Sequence, residues 1–511
     1  MGVVFLLLLP LFFLLAFYLI VYYPSTRRSN LPPGPTVYPI IGNVLWIRKS
    51  LADIKSIIRD FRHKYGDILT LHIGTVRPSI FVFDQNLAHK LLVQHGSIFG
   101  SRIPLNQLFR FVGNDSYTIS NSPSGPIWRL LRRNLVSEIL HPSRIKSYGD
   151  ARSWVLEAAL DKIGKQSEKE GSVVVVRDVF QYAMFCLLVY MCFGEKFDEK
   201  VVREIETVQR DLLLFFRKLQ IFRFFPKIGR YIFSKRWKTM MEIKERQTVI
   251  FSRLIDARRK KIPSRKDYEY CYLDSLLDLE LPTATDEEDK KRKLTEVEII
   301  GLCSEFLNGG TDTTSTALQW VMANLVKKRG IQKKLLKEIR EVVPNEEAAI
   351  EHEDLQKMVY LKAVVMEGLR RHPPGQFLLP HTATDDTVID GHLIPKNAAI
   401  NFMVGDMGWD SRVWKDPLEF KPERFLPGGE GYGVDITGSK GIKMMPFGAG
   451  RRICPGINLA LLHLEYFVAN LIRKFDWKQV DGEQIDLTEK DEFTTVMKFP
   501  LRSHVTLHNK Y

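Results

Sequence analysis

Cysteine is scarce in this chain, which argues against a protein built on disulfide bonds. Only five of the 511 residues are cysteines, and they are widely spaced: Cys186, Cys192, Cys271, Cys303 and Cys454. An odd and scattered set does not suit a disulfide framework, and it favours a reducing compartment. With 45% hydrophobic and 11% aromatic residues, a chain of this length can bury a large core and is expected to be globular.

The sequence also lacks recognisable nucleotide-binding and nucleic-acid-binding motifs, internal repeats and coiled-coil heptads. Its formal net charge is +14, but the basic residues are dispersed, so no nucleic-acid partner is expected. The positive charge is instead predicted to attract anionic lipid or an acidic protein. Because there is no flavin or nicotinamide fingerprint, any redox chemistry must receive its electrons from outside the chain.

Charge is absent from one long stretch, residues 3–23, which is almost wholly apolar. Its length is what a helix needs to span a bilayer. A cleaved signal peptide is the alternative, but the apolar run is too long, no basic residues precede it and no small-residue cleavage site follows it. Arg27 and Arg28 come next, and the positive-inside rule then leaves the rest of the chain in the cytosol. We therefore predict a retained single-pass anchor over residues 1–24.

A proline-rich stretch separates this anchor from the body of the chain. Residues 25–45 include the run Leu31-Pro32-Pro33-Gly34-Pro35, which predicts a stiff, non-helical hinge. In the remaining segment, residues 46–511, two β-type runs at 68–73 and 79–83 predict a small hairpin. Helical periodicity then dominates to about residue 371. The predicted fold class is a single, mainly α domain with small β-sheets.

One cysteine stands in a distinctive setting, the stretch Phe447-Gly448-Ala449-Gly450-Arg451-Arg452-Ile453-Cys454-Pro455-Gly456. The pattern predicts a glycine-punctuated loop that runs into a helix with Pro455 at its first position. A thiol beside a helix N-terminus and two arginines is expected to be acidic. A lone thiolate ligand suits haem iron better than zinc or an iron–sulfur cluster. Taken alone, however, such a cysteine is more often a buried thiol after a glycine-rich turn.

The complete stretch resembles the haem-binding loop of the cytochrome P450 superfamily, whose pattern Phe-Gly-x-Gly-x-Arg-x-Cys-x-Gly it matches without a break. The resemblance implies the cytochrome P450 fold, preceded here by the N-terminal transmembrane helix, and a haem b whose iron is ligated by the Cys454 thiolate. It also implies that Phe447 shields the sulfur and that Gly456 brings amide donors near it. The cysteine loop and residues 306–327 are most similar to microsomal plant members of the A-type, and among these to family 89.

Four further residues match positions that hold the haem propionates in this family. Trp128 and Arg132 lie one helical turn apart, and the resemblance makes them donors through an indole N–H and a guanidinium group. A basic amphipathic helix without ligands is the alternative for these two residues alone. His381 and Arg452 match two more donor positions.

The stretch Gly309-Gly310-Thr311-Asp312-Thr313-Thr314 lies within a predicted long helix that opens at a capping box, Thr295–Glu298. It matches every position of the family motif Ala/Gly-Gly-x-Asp/Glu-Thr-Thr/Ser. By this resemblance Thr313 hydrogen-bonds the dioxygen site, and Asp312 connects that site to solvent protons. A mid-helix flaw tolerated for packing is the alternative.

Glu367, Arg370 and Arg424 match the family's Glu-x-x-Arg and Pro-Glu-Arg-Phe elements. As an isolated pair three residues apart, Glu367 and Arg370 would be an ordinary surface ion pair worth little. The resemblance instead implies that the three form a buried network that locks the haem-side core and takes no part in the chemistry.

Together these motifs imply a membrane-anchored monooxygenase that inserts one atom of O2 into a small lipophilic molecule. The implied partner is a membrane-bound NADPH–cytochrome P450 reductase, docking on a basic face that includes parts of the Arg451–Arg452 side. The enzyme is expected in the endoplasmic reticulum membrane, with a monomeric catalytic unit in the cytosol. A haem-thiolate isomerase or dehydratase is one alternative, against which the Asp312–Thr313 pair argues. A non-catalytic haem-binding membrane protein is the other.

Overall fold

Helices make up most of the structure, a computed structural model that describes residues 10–15, 30–35, 51–73, 77–103, 117–169, 173–216, 218, 222, 229–261, 269–282 and 291–508. The helices from residue 51 onward are α1 (Leu51–Tyr65), α2 (Gln85–His89), α3 (Gly96–Phe99), α4 (Pro126–Glu138), α5 (Pro142–Ser147), α6 (Gly149–Lys169), α7 (Arg177–Phe193), α8 (Glu199–Phe216), α9 (Gly229–Ile232), α10 (Ser234–Lys261), α11 (Tyr272–Asp278), α12 (Glu296–Lys327), α13 (Arg329–Val342), α14 (His352–Lys357), α15 (Val359–Arg371), α16 (Val404–Gly408) and α17 (Ile457–Lys474). A π-helical turn (Lys90–Gln94) and two 3-10 turns (Pro422–Phe425 and Gly450–Arg452) supplement them. The predicted mainly α fold is confirmed.

The strands are short. They are β1 (Ile68–Leu71), β2 (Ser79–Val82), β3 (Ser101–Arg102), β4 (Val173–Val175), β5 (Glu280–Pro282), β6 (Lys291–Lys293), β7 (His381–Thr382), β8 (Thr387–Ile389), β9 (His392–Ile394), β10 (Ala399–Phe402), β11 (Phe475–Lys478), β12 (Glu489–Asp491), β13 (Thr495–Met497) and β14 (Arg502–Leu507). The largest sheet has five strands in the order β1-β2-β10-β7-β3. The predicted hairpin is its edge, where β1 and β2 pair antiparallel.

The long helix α12 runs through the core. It begins at the predicted capping box, where the Glu298 N–H donates to Thr295 Oγ1 and the Thr295 N–H donates to the Glu298 carboxylate at 2.8 Å. Residues 314–326 of this helix are all buried, which is the pattern of a helix surrounded by other helices. A Cβ at Gly310 would lie 2.6 Å from Leu188 Cδ1 of α7, so the absence of a side chain there allows the two helices to pack closely.

The five-stranded sheet joins two parts of the chain that are far apart in sequence. Strand β3 pairs antiparallel with β7, and this register places Arg102 opposite His381. Strand β10 then pairs with both β7 and β2. The sheet therefore brings an arginine from before α4 next to a histidine from after α15.

The β12–β13 hairpin packs against the middle of α12. Trp320 Nε1 of α12 donates to the Thr495 carbonyl at 2.8 Å, and the Thr316 and Thr494 hydroxyls are 2.9 Å apart. The Thr495 N–H donates to the Pro374 carbonyl at 2.8 Å. These contacts hold the acidic tip of the hairpin beside the Asp312 segment.

Most of the predicted anchor and hinge lies outside the described residues. Residues 10–15 are helical and exposed, and no helix among the described residues has both the length and the apolarity to cross a bilayer. The described part of the hinge contacts the body, because the Pro33 carbonyl accepts from the Thr70 N–H at 2.8 Å. A Cβ at Gly34 would lie 2.0 Å from the Thr70 carbonyl oxygen, so this contact with β1 requires glycine.

Candidate functional site

The Cys454 loop is held by backbone contacts. The Cys454 N–H donates to the Phe447 carbonyl at 2.9 Å, which closes the loop between them. Gly448 and Gly450 have φ angles of 71° and 67°, in the left-handed region that favours glycine. A Cβ at Gly450 would lie 2.0 Å from the Leu92 carbonyl oxygen. The two glycines therefore allow the loop to turn, and Gly450 also allows it to pack against the π-helical turn Lys90–Gln94.

The helix after the loop starts later than the sequence indicated. Helix α17 begins at Ile457, with Gly456 as its N-cap, so the prediction that Pro455 occupies the first helical position is wrong. Burial raises the pKa of the Cys454 thiol, although the Gly456 N–H and the Arg132 guanidinium group oppose this shift. The expectation of an acidic thiol is therefore also wrong for the protein alone, because desolvation of the thiolate outweighs both favourable contacts.

The structure brings all four predicted propionate donors to one region. Trp128 is buried, and its indole N–H donates to the Ile119 carbonyl at 3.0 Å. The Arg452 guanidinium group lies over the Trp128 ring at 3.9 Å. Arg132 donates to the Ile453 carbonyl at 2.6 Å, directly before the cysteine. The buried His381 ring makes a 2.8 Å contact from Nδ1 to the Phe99 carbonyl.

A fifth donor, Arg102, belongs to the same cluster but was not predicted from the sequence. Its guanidinium group is buried and donates to the carbonyls of Ser120, at 3.0 Å, and Leu379. The nearby sequence gives no signal for this role, because Arg102 reaches the cluster only through the pairing of β3 with β7.

This cluster carries a buried excess of positive charge that fits a carboxylate-bearing cofactor. Burial lowers the pKa of Arg102 to about 10 and that of Arg452 to about 9, and it lowers the pKa of His381. In the described parts of the chain, their hydrogen-bond acceptors are backbone carbonyls and the Ser124 hydroxyl. Buried guanidinium groups are stabilised by bidentate carboxylate partners. Haem presents two propionates, so the donor set and the nearby thiol suit haem.

Asp312 and Thr313 lie midway along α12. The Thr313 hydroxyl donates to the Gly309 carbonyl at 2.7 Å, and a Cβ at Gly309 would meet no atom within 4 Å. The Asp312 carboxylate lies 3.8 Å from the Arg210 guanidinium group of α8 and 3.5 Å from Gln181 Nε2 of α7. Burial raises the pKa of Asp312 to about 6, while Arg210 opposes the rise.

Arg210 also contacts a second carboxylate, Glu492, at 3.7 Å, and Glu492 is paired with Arg177 at 2.9 Å and Lys490 at 3.0 Å. Lys490 is more than half exposed. The sequence did not single out Arg210 or Glu492, because the hairpin that carries Glu492 reaches α12 only in the folded chain. A chain of charged groups thus leads from Asp312 to the surface.

Glu367, Arg370 and Arg424 are almost fully buried and lie together. Arg370 donates to both Glu367 carboxylate oxygens, at 2.7 and 2.8 Å, and Arg424 Nε donates to Glu367 at 3.3 Å. The Lys421 N–H adds a fourth bond at 2.8 Å. Each arginine also donates to carbonyls of residues 408–419. The network therefore joins α15 to the irregular segment that precedes the cysteine loop.

Comparison with known proteins shows the family of the chain. The family model described as Cytochrome P450 matches residues 32–505. The chain is 46% identical to Cytochrome P450 89A9 of Arabidopsis thaliana over 95% of each chain. It is 28% identical to Isoflavone 2'-hydroxylase of Medicago truncatula over 98% of this chain and 97% of that one. The predicted resemblance to the plant family 89 is thus confirmed.

A solved structure has the same fold. A zebra fish cytochrome P450, described with progesterone, superposes with a TM-score of 0.72, covering 89% of this chain and 99% of that chain at 21% identity. The family match and the identity to plant relatives extend over almost the whole chain. This chain belongs to the cytochrome P450 family, whose members are haem-thiolate monooxygenases that use O2, a small-molecule substrate and a redox partner.

Proposed function

We propose that this chain is a membrane-anchored monooxygenase that oxidises a small lipophilic molecule, with electrons from NADPH delivered by cytochrome P450 reductase. Cys454 is its iron ligand, and Trp128, Arg132, His381, Arg452 and Arg102 hold the haem propionates. The observation that carries the proposal is the half-buried Cys454, whose thiol lies beside a buried, positively charged donor cluster.

Thiolate-ligated haem supplies the oxygen-activating chemistry, because the thiolate favours O–O cleavage. The residues of this chain hold and tune that group. The Phe447 carbonyl fixes the Cys454 backbone, and the Gly456 N–H directed at the sulfur stabilises the thiolate. The charge of Arg132 acts in the same direction. The protein thus offsets, at the ligand itself, part of the cost of burying the thiolate.

Asp312 and Thr313 supply protons in this proposal. Burial raises the pKa of Asp312 to about 6, so its carboxyl group exchanges a proton readily near neutral pH. Arg210, Glu492 and Lys490 connect it to the surface. The hydroxyl of the next residue, Thr313, carries a second proton and donates to the Gly309 carbonyl. The space beside Gly309 is open, because a Cβ there would meet no atom within 4 Å. This pair favours a monooxygenase over a reductase-independent isomerase.

The lipophilic substrate class is inferred from apolar side chains near the propionate donors and near the Asp312 segment. Leu379 is 47% exposed and Phe493 is 42% exposed. The Leu379 carbonyl accepts a hydrogen bond from the proposed propionate donor Arg102. Phe493 follows Glu492 at the tip of the β12–β13 hairpin, beside α12. Apolar surface at these places suits a hydrophobic ligand.

The reductase face is inferred from charge. Arg451 is exposed, whereas Arg452 is buried, so only Arg451 of this pair is available to a partner. Arg129 and Arg133 are exposed on α4, the helix that also carries Trp128. Helix α4 contacts the cysteine loop through Arg132 and Ile453, and exposed basic residues on the helix and the loop suit an acidic redox partner.

Replacement of Thr313 by alanine tests the proposed function. With reductase, NADPH and a lipophilic aryl ether that the wild type dealkylates, we expect Thr313→Ala to keep consuming NADPH while product per NADPH falls and hydrogen peroxide rises. The control is Thr311→Ala, because Thr311 makes the same hydroxyl-to-carbonyl bond, to Leu307 at 2.7 Å, but is buried away from the site. Equal coupling in the wild type and Thr313→Ala would refute the role of Thr313, and reductase-independent turnover would refute the monooxygenase.

The charge of Arg210 is expected to set the pH dependence of coupling. Burial raises the pKa of Asp312 and Arg210 lowers it, so Arg210→Gln should raise this pKa further above about 6. The pH at which coupling changes by half should then move to higher pH. Arg246→Gln is the matched control, because Arg246 pairs with the adjacent but exposed Asp211. An unchanged pH profile in Arg210→Gln would exclude Asp312 as the titrating group.

The membrane anchor is tested by fractionation. We expect the full chain to remain in the membrane pellet after washing with alkaline carbonate, because residues 3–23 are apolar and uncharged. A variant without residues 1–24 should be released by the same wash. Release of the full chain would show that residues 1–24 do not span the bilayer.

A further inference from the structure

A half-buried glutamate on α12, Glu305, holds the chain segment 118–122. Its oxygens accept hydrogen bonds from the Ile119 N–H and the Ser120 N–H, both at 2.7 Å, and from the Ser120 hydroxyl. Burial raises the pKa of Glu305, and these hydrogen bonds oppose the rise. Two backbone donors on one carboxylate fix both the position and the orientation of the segment.

The other side of the same segment faces the proposed propionate donors. The Ile119 carbonyl accepts from Trp128 Nε1 at 3.0 Å and from Arg452 Nη1 at 3.1 Å. The Ser120 carbonyl accepts from Arg102 Nε at 3.0 Å. The Ser122 carbonyl accepts from Arg452 Nη2 at 2.7 Å. Three of the five donors are thus oriented by three neighbouring carbonyls.

One peptide group connects the two sides directly. The carbonyl of the peptide between residues 119 and 120 accepts from Arg452 and Trp128, while its N–H donates to Glu305. Hydrogen bonds in such a chain polarise one another and strengthen in a low-dielectric interior. The negative charge of Glu305 therefore offsets the buried positive charge of Arg452 through this peptide, and Glu305 acts on Arg452 electrostatically as well.

We propose that Glu305 is a positioning residue for the cofactor, which sets the orientation and the charge balance of Arg452, Arg102 and Trp128 through the segment 118–122. This inference rests on the proposed function, in which these three residues hold the haem propionates. Glu305 itself lies on α12, seven residues before Asp312. The contact therefore ties the helix that carries the proton-delivery pair to the residues that hold the cofactor.

The test is Glu305→Gln in the full-length haem-loaded protein, with readouts other than activity. The amide keeps the size but loses the charge and one acceptor. Residues that act behind a direct ligand typically change affinity by roughly 10–100-fold, so we expect haem transfer to apomyoglobin to become about tenfold faster. The propionate bands in the resonance Raman spectrum should shift. The reduction potential should rise, because a negative charge near the cofactor is lost.

Glu298→Gln is the matched control, because Glu298 is a carboxylate of the same helix that caps its N-terminus through Thr295 and pairs with Arg292. It should lower stability without moving the propionate bands or the potential. Should Glu305→Gln fail to fold, Glu305→Asp replaces it, because it keeps the charge but withdraws it by one methylene. Faster haem transfer with a potential close to that of the wild type is then expected.

The variant Arg452→Gln distinguishes the proposed role of Arg452 as a propionate donor from the proposed positioning role of Glu305. Unchanged Raman bands and haem transfer in Arg452→Gln would overturn its proposed role as a propionate donor. Altered bands in Arg452→Gln together with wild-type bands, potential and transfer rate in the Glu305 variant would overturn the positioning role alone.

Discussion

Cys454→Ser is expected to abolish oxygenase activity and the strongly red-shifted Soret band of the reduced, carbon-monoxide-bound protein. The reason is the ligand chemistry. Burial already raises the pKa of the Cys454 thiol, against the Gly456 N–H and Arg132. A serine hydroxyl ionises far less readily than a thiol, so the same contacts cannot stabilise an alkoxide at this position. The iron would lose the electron-rich sulfur that favours O–O cleavage.

The matched control is Cys271→Ser. Cys271 is buried, and its Sγ lies 3.3 Å from the Asp274 carboxylate at the start of α11. A serine hydroxyl can keep that hydrogen bond, so this variant should retain the red-shifted band and the activity. A Cys454→Ser protein that keeps the thiolate-type band would show that another group ligates the iron.

Glu367→Gln is expected to give the largest loss of stability among single substitutions of the buried ion-pair network. The substitution leaves Arg370 and Arg424, each at most 1% exposed, without the carboxylate that they share. Breaking a buried ion pair from one side costs about 3–5 kcal/mol, against a total free energy of unfolding of about 5–15 kcal/mol for a typical domain. We expect little folded, haem-containing protein and a markedly lower melting temperature by circular dichroism.

The neighbouring Glu423→Gln provides the comparison. Glu423 lies in the same 3-10 turn as Arg424, but it is 36% exposed and pairs with Lys334. Surface ion pairs of this kind contribute about 0–1 kcal/mol, so its melting temperature should stay near that of the wild type. Similar melting temperatures for the Glu367 and Glu423 variants would contradict the structural role of the network.

Most of the site was predictable because its parts are local in sequence. The cysteine loop depends on glycines at fixed offsets from Cys454, and the capping box depends on two residues three positions apart. Asp312 and Thr313 are adjacent, and Glu367 and Arg370 lie on one helical turn. In each case a few neighbouring residues determine the backbone conformation or the shared helix face. These features can therefore be predicted from the sequence without knowledge of the tertiary structure.

Two local predictions failed where the surroundings decided the outcome. Pro455 suits a first helical position, yet α17 begins at Ile457, with Gly456 as its N-cap. The thiol was expected to be acidic from its two nearby arginines. Its pKa is raised because Cys454 is desolvated, and Arg452 directs its guanidinium group to Gly100, Ile119 and Ser122.

The sequence by itself determined the mainly helical fold, and it identified Cys454, the Asp312–Thr313 pair and Glu367 with its arginines as candidate site residues, because each depends on chemistry carried by short patterns. Only the tertiary structure decided that Arg102, Glu305, Arg210 and Glu492 join these groups. Arg102 arrives through the β3–β7 pairing, and Glu492 arrives on the β12–β13 hairpin. Such contacts join segments far apart along the chain, and burial, which sets the charge balance of the site, is a property of the packed molecule as a whole.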